Sequence, residues 1–192
     1  MLDIIKLLLK SAIIDNVVFI QYLAICPFIG MTSETGKAAG MGIATSFVIV
    51  LATAATWPIY KLVMVPLGLE FLQTLMFILV IASLVQLVEF FLKKSVPALY
   101  KSMGVYLALI TTNCAVLGVT INCISKNYNY GQSLVYALGS ALGFLLSMVI
   151  MSGVRSRIKT ANVPQSFKGT PVLFVAAGLL SLAFMGFKGL IK

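Results

Sequence analysis

Two of the three cysteines in this 192-residue chain stand in matching surroundings. Cys26-Pro27-Phe28-Ile29-Gly30-Met31-Thr32 and Cys114-Ala115-Val116-Leu117-Gly118-Val119-Thr120 share Cys, Gly and Thr at the same offsets, with Ile29 answered by Leu117. The ordinary reading of such thiols is a pair of small buried hydrophobes. A disulfide is disfavoured, because nothing points to a secretory context. Tetrahedral zinc is disfavoured too: the chain has no histidine, no Cys-x-x-Cys pair and only 5 carboxylates. The missing histidine also argues against histidine-ligated haem. A [2Fe–2S] cluster takes four thiolates, so this chain would hold half a site and a second chain the rest. On these residues alone the bland reading and the half-site both stay open. Cys123 has no counterpart in the repeat and reads as a plain apolar cysteine.

Other chemistry is sparse, and no catalytic residue is expected. Intramembrane acids are functional candidates by default, which singles out Asp15 and Glu89. Asp15 also fits an interfacial position, and Glu89 fits an i,i+4 pair with Lys93. Trp57-Pro58-Ile59-Tyr60 reads as an aromatic anchor at a membrane boundary.

The elements that must position these residues are membrane helices. The chain is 60% hydrophobic and 10% charged, with mean hydropathy +1.07. A soluble domain carries about a quarter charged residues, which its hydrated surface requires. Crossing the hydrocarbon core takes roughly 20 apolar residues. Intervals of that length lie at 11–33, 38–60, 71–92, 102–124, 131–153 and 170–190. They are apolar on every side, which excludes the alternation of a barrel strand and predicts helices. Residues 1–10 lack a small-residue cleavage site and read as a retained interfacial or lengthening segment. The expectation is therefore an all-α membrane protein of six transmembrane helices forming a single integral membrane domain, 1–192.

Each cysteine copy falls in the first helix of a group of three. Three crossings reverse direction, so the groups predict inverted repeats, about 1–95 and 96–192, with interrupted helices 1 and 4 meeting near the midplane. Pro27, Gly30 and Gly118 are the expected sites of interruption. Thr111, Thr112 and Asn113 offer side chains for the freed backbone groups. Gly139-x-x-x-Gly143 and the small residues of 36–44 predict close helix approach.

A net charge of +9 does not indicate nucleic acid, because the cations sit in short loops where they set topology. With the N-terminus outside, Lys37, Lys93, Lys94, Lys101, Arg155, Arg157, Lys159 and Lys168 lie inside. The acid-free basic loop 155–169 favours this orientation, with both termini outside.

The run Asp15-Asn16-Val17-Val18-Phe19-Ile20-Gln21-Tyr22-Leu23-Ala24-Ile25-Cys26-Pro27-Phe28 resembles the first helix of Rnf complex A subunits. Leu109-Ile110-Thr111-Thr112-Asn113-Cys114-Ala115-Val116-Leu117-Gly118 resembles their fourth helix. The resemblance continues through Val96-Pro97-Ala98-Leu99-Tyr100 and Asn162-Val163-Pro164 and covers the whole chain. It implies a small six-helix subunit of a redox-driven ion translocase, a ferredoxin:NAD oxidoreductase of the bacterial inner membrane, with no activity expected of the isolated chain. It also implies a homologous E subunit of opposite topology, further B, C, D and G subunits, and a [2Fe–2S] cluster held between A and E. Cys26 and Cys114 would then be the ligands from this chain, with Thr112 and Asn113 as supporting side chains, and Na⁺ or H⁺ as the coupled ion. The related E subunit of the sodium-pumping NADH:quinone reductase is the alternative within the redox class; Ile25-Cys26-Pro27-Phe28 looks more like the Rnf form. A small inverted-repeat transporter and an inert scaffold are the alternatives outside it. A colourless protein that moves solute alone would mark the first, and dispensable cysteines the second.

Overall fold

The computed structural model describes residues 2–68, 70–95, 109–110, 112–161 and 164–187. Among them every regular element is helical. The elements are α1 (Leu2–Leu9), continued by a π-helical stretch Lys10–Ile14, and α2 (Ile25–Gly30). Next come α3 (Thr35–Ile59), extended by a π-helical stretch Tyr60–Met64, and α4 (Gln73–Ser95). They are followed by α5 (Cys114–Ser125), α6 (Tyr130–Thr160) and α7 (Thr170–Phe187). A one-turn helix, Val65–Leu67, closes on Gly68, whose φ of 64° is the left-handed conformation glycine reaches without a Cβ penalty.

Among the described residues four helices are long and apolar enough to cross a membrane: Thr35–Met64, Gln73–Phe90, Tyr130–Thr160 and Thr170–Phe187. They match the expected second, third, fifth and sixth spans. The first expected span is not one helix: residues 15–24 leave helical geometry between the π-helical stretch and α2. The fourth is broken at Thr112 and Asn113, just before α5, while Leu109 and Ile110 are helical. Residues 96–108, Thr111 and Asn162-Val163, which carry part of that span and of the resemblance, lie outside the described residues.

The fourth span breaks at Thr112 and Asn113, where the sequence offers side chains for freed backbone groups, but Pro27 and Gly118 do not make breaks. Pro27 sits inside the first turn of α2, where its missing N–H leaves no helical bond unmade. Gly118 is an interior residue of α5, and its lack of a side chain makes room for Leu23. Only Gly30 lies at a helix end, closing α2.

α3 and α6 form the antiparallel centre. Ser152 donates to Thr35 Oγ1 at 3.2 Å at one end, and Ser46 donates to the Ala141 carbonyl at 3.1 Å midway. At the other end the rings of Trp57 and Tyr130 stand 5.3 Å apart. Lys61 lies 4.9 Å over the Trp57 ring, and the indole donates to the Tyr128 carbonyl, so the end of α3 is anchored to the start of α6.

The N-terminal segment runs on helically into the first expected span, as a lengthening segment does. It packs lengthwise on α6, because Gly139 and Gly143 let backbone meet backbone. A Cβ on Gly143 would stand 2.6 Å from the Ala12 carbonyl oxygen, and one on Gly139 would stand 2.8 Å from that of Leu8. The predicted close approach is therefore present, with α1 and its π-helical continuation as the partner. By contrast α4 and α7 expose apolar side chains such as Leu79, Leu87, Leu179 and Leu182. Those exposed side chains favour an apolar surround, and the helices' own bonds satisfy the backbone within it.

Candidate functional site: two cysteine segments at broken helices

Asn16 organises the first break. Its Nδ2 donates to the carbonyls of Ala12 (3.2 Å) and Gly143 (3.1 Å). Its Oδ1 accepts from Val18 N–H at 2.9 Å, Phe19 N–H at 3.3 Å and Ser147 Oγ at 3.1 Å. One buried amide thus answers backbone groups that a continuous helix would have paired internally. Phe19 pins the following turn: its ring meets Phe28 edge-on at 5.7 Å and stacks on Phe184 at 4.5 Å. Ser181 of α7 donates to the Phe19 carbonyl at 2.9 Å.

The chain then turns through two left-handed residues, Tyr22 (φ 54°) and Ala24 (φ 62°). Neither is glycine, so each carries backbone strain of about 1–2 kcal/mol. The turn aims the Ala24 N–H at Cys114, and it donates to Cys114 Sγ at 2.8 Å. Ala24 precedes Cys26 by two residues, so the two cysteine segments come together across the molecule.

Asn113 shapes the second break. It is the N-cap of α5, its Oδ1 accepting from Ala115 N–H at 3.0 Å. That bond fixes the amide orientation and leaves the buried Nδ2 with no partner among the described residues. A buried donor left unmade costs about 1–3 kcal/mol. Thr112 is exposed beside it.

Cys26 and Cys114 are both exposed, whereas Cys123 is buried with its Sγ 3.8 Å from the Ser133 carbonyl. The plain reading of Cys123 fits that environment. Among the described residues no three of His, Cys, Asp or Glu gather into a metal site.

Asp15 also meets its match across the two segments. Lys126, directly after α5, donates to Asp15 Oδ2 at 2.9 Å and lies 4.7 Å over the Tyr136 ring. Burial works against the Lys126 charge. The Asp15 hydrogen bond and the neighbouring charges of Tyr136, Asp15 and Tyr128 outweigh it and hold the ammonium above its ordinary value. Nearby, Asn122 donates to Gln21 Oε1 at 2.9 Å. Glu89 and Lys93 share a hollow with Gln86 and Phe90 on α4.

The family model described as Rnf-Nqr subunit, membrane protein, matches residues 4–191. The chain belongs to the Rnf-Nqr family of membrane subunits. Within it, a protein of Syntrophotalea carbinolica is 47% identical over 191 residues, covering 100% of this chain and 99% of that one. One of Azoarcus sp. is 50% identical over 184 residues, covering 96% and 95%. One of Edwardsiella ictaluri is 45% identical over 192 residues and covers 100% of both. All three are named as the A subunit of an ion-translocating oxidoreductase complex.

For this Rnf-Nqr member, sequence reasoning singles out both exposed thiols and Asn113, assigns no role to Asn16 and reads Arg155 only as a topology-setting cation. Arg155 Nη1 donates to the Ile29 carbonyl at 2.6 Å and to Thr32 Oγ1 at 3.2 Å, capping the far end of the Cys26 helix with a cation. Its only sequence signal is a loop charge. Asn16 has a clearer one, a polar amide inside an apolar run.

Proposed function

We propose that this chain is the A subunit of an Rnf-type ion-translocating ferredoxin:NAD oxidoreductase, and that Cys26 and Cys114 supply half the ligands of a [2Fe–2S] cluster. A homologous E subunit of opposite topology supplies the other half, and B, C, D and G subunits complete the complex in the bacterial inner membrane. The names of the full-length relatives support the first part. The bond from Ala24 N–H to Cys114 Sγ carries the second, because it joins the segments while both thiols stay open to a neighbour.

The donor set fits such a group. Two exposed thiols without further ligands among the described residues make an incomplete site that a second chain can close. The unpartnered Asn113 Nδ2 is a ready donor to sulfur, and the N-terminus of α5 favours negative charge at Cys114. When bound, a [2Fe–2S] cluster supplies one-electron transfer part-way across a hydrocarbon layer of about 30 Å. This chain's residues hold the sulfurs in place, through Asn16 on one side and Asn113 on the other. The two cysteine segments open the two inverted repeats, 1–95 and 96–192, with both termini outside. Electron passage at this level drives Na⁺ or H⁺ through the complex.

Iron content and the reduced-state EPR spectrum of the purified complex test the assignment in Cys26→Ser and Cys114→Ser. Each variant is expected to lose about two irons and one [2Fe–2S] signal, with other centres intact. Unchanged spectra in both would remove the electron-relay role.

A further inference from the structure

At the opposite end of α6 from the aromatic anchor lies a hollow of about 530 Å³. Arg155, Lys159 and Lys168 line it, together with Gly169 and Thr170 at the start of α7. Its apolar walls are Ile29, Ile158, Val172 and Leu173. Among the described residues that line it, none is acidic or aromatic, so none would receive a choline or ethanolamine cation. The bonds of Arg155 to Ile29 and Thr32 run through Nη1, and the guanidinium carries further donors on Nε and Nη2. Lys159 reaches the Ser33 carbonyl at 3.1 Å from an exposed position, and Lys168 is exposed.

A second hollow of about 620 Å³ adjoins the first and shares Ile158 and Ala161 with it. It runs along the last turns of α6 over Val149, Ile150, Gly153 and Val154, with Arg157 as the charge among its described residues. A cationic cup thus lies beside a mostly apolar strip that follows a membrane helix toward its middle. A free anion would use only the cup. A molecule with a phosphate and a hydrocarbon chain uses both.

We propose that this pair of hollows binds an anionic glycerophospholipid, its headgroup phosphate among Arg155, Lys159 and Lys168 and one acyl chain along Val149, Gly153 and Val154 of α6. Basic recesses between membrane helices take acidic headgroups for this reason. The site is also coupled to the Cys26 segment, because Arg155 holds the Ile29 carbonyl at the end of α2. The proposal rests on the membrane placement of the chain and not on the cluster assignment.

The test uses the purified complex in detergent micelles doped with equal amounts of phosphatidylcholine and phosphatidylglycerol, with retained lipid counted by native mass spectrometry. The wild type is expected to retain phosphatidylglycerol over phosphatidylcholine. The double variant Lys159→Gln/Lys168→Gln should weaken that retention about 25-fold, or about fivefold per lysine. Lys159→Arg/Lys168→Arg should restore it, which separates charge from misfolding. Val154→Trp, which obstructs the strip and leaves every cation in place, should also lose phosphatidylglycerol. Lys6→Gln, near the other end of the molecule, should leave it unchanged. Wild-type retention in the Lys159→Gln/Lys168→Gln variant would overturn the proposal, as would equal weakening by Lys6→Gln. Full displacement of the lipid by millimolar inorganic phosphate would overturn it as well, marking a site for free anions.

Discussion

Lys126 Nζ lies 2.9 Å from Asp15 Oδ2, joining the residue that ends the first half-helix to the one that follows the helix begun by Cys114. The two are 111 positions apart in sequence. The carboxylate is closed on a fixed ammonium and is not an open cation site. Asp15→Asn is therefore expected to leave ion-coupled turnover intact while lowering stability. Both side chains are partly exposed, so the coupling in a double-mutant cycle with Lys126→Met should be at most about 1 kcal/mol. Loss of ion transport with electron transfer preserved would put Asp15 on the ion path.

The same pair sets an alkaline limit. The pKa of Lys126 is raised above its ordinary value, so its contribution is full below that value and is lost as pH rises through the higher folded one. Thermal melts above about pH 10.4 should therefore fall more steeply for the wild type than for Lys126→Met. Parallel curves would show that the ammonium gains nothing on folding.

Under the proposed cluster assignment, Asn113 offers a way to separate holding the cluster from tuning it. Serine is a good N-cap but lacks the second donor. Asn113→Ser should retain iron and shift the cluster to a lower potential in an EPR-monitored titration, whereas Asn113→Ala also gives up about 1 kcal/mol of cap. An unchanged potential in Asn113→Ser would mean that Nδ2 does not reach the cluster.

Asn16 is expected to be the most sensitive polar residue outside the cysteines. Asn16→Ala strands the N–H groups of Val18 and Phe19 and removes the amide's tie to Gly143, at a cost of about 2–4 kcal/mol in a thermal or denaturant melt. A loss below about 0.5 kcal/mol, the scale of an ordinary surface change, would show that the break is held by apolar packing alone.

Gly143→Ala should destabilise by about 1–3 kcal/mol, since its Cβ would press on the Ala12 carbonyl. Gly178→Ala, in the open interior of α7 with nothing within 4 Å, should gain up to about 1 kcal/mol. Equal shifts in the same melt would contradict the close packing of the N-terminal segment on α6.

Four uninterrupted spans and both exposed cysteines are legible in the sequence because apolar length and repeated spacing are local properties. That the first and fourth spans would be interrupted is also legible, from the repeat. The fourth break is signalled by Thr112 and Asn113, but the place of the first is not. Proline usually marks a break, yet Pro27 falls in a first turn that tolerates it. Asn16 makes the actual break with a carbonyl 127 positions away, which no window of sequence reveals. Gly139 and Gly143 announce a close contact without naming its partner. That partner is the short N-terminal segment, which read alone suggests only an interfacial or lengthening role.

The seat of the N-terminal segment on Gly139 and Gly143 has a consequence for the order of synthesis. The first helix leaves the ribosome well over a hundred residues before the groove that receives it. Until α6 has been made, Asn16 lacks the Gly143 carbonyl and Ser147, and the turn toward Cys26 lacks its support. A nascent chain stopped before α6 would carry both cysteines without the frame that aligns them. Alignment of the two cysteine segments is thereby deferred until nearly the whole subunit has been made.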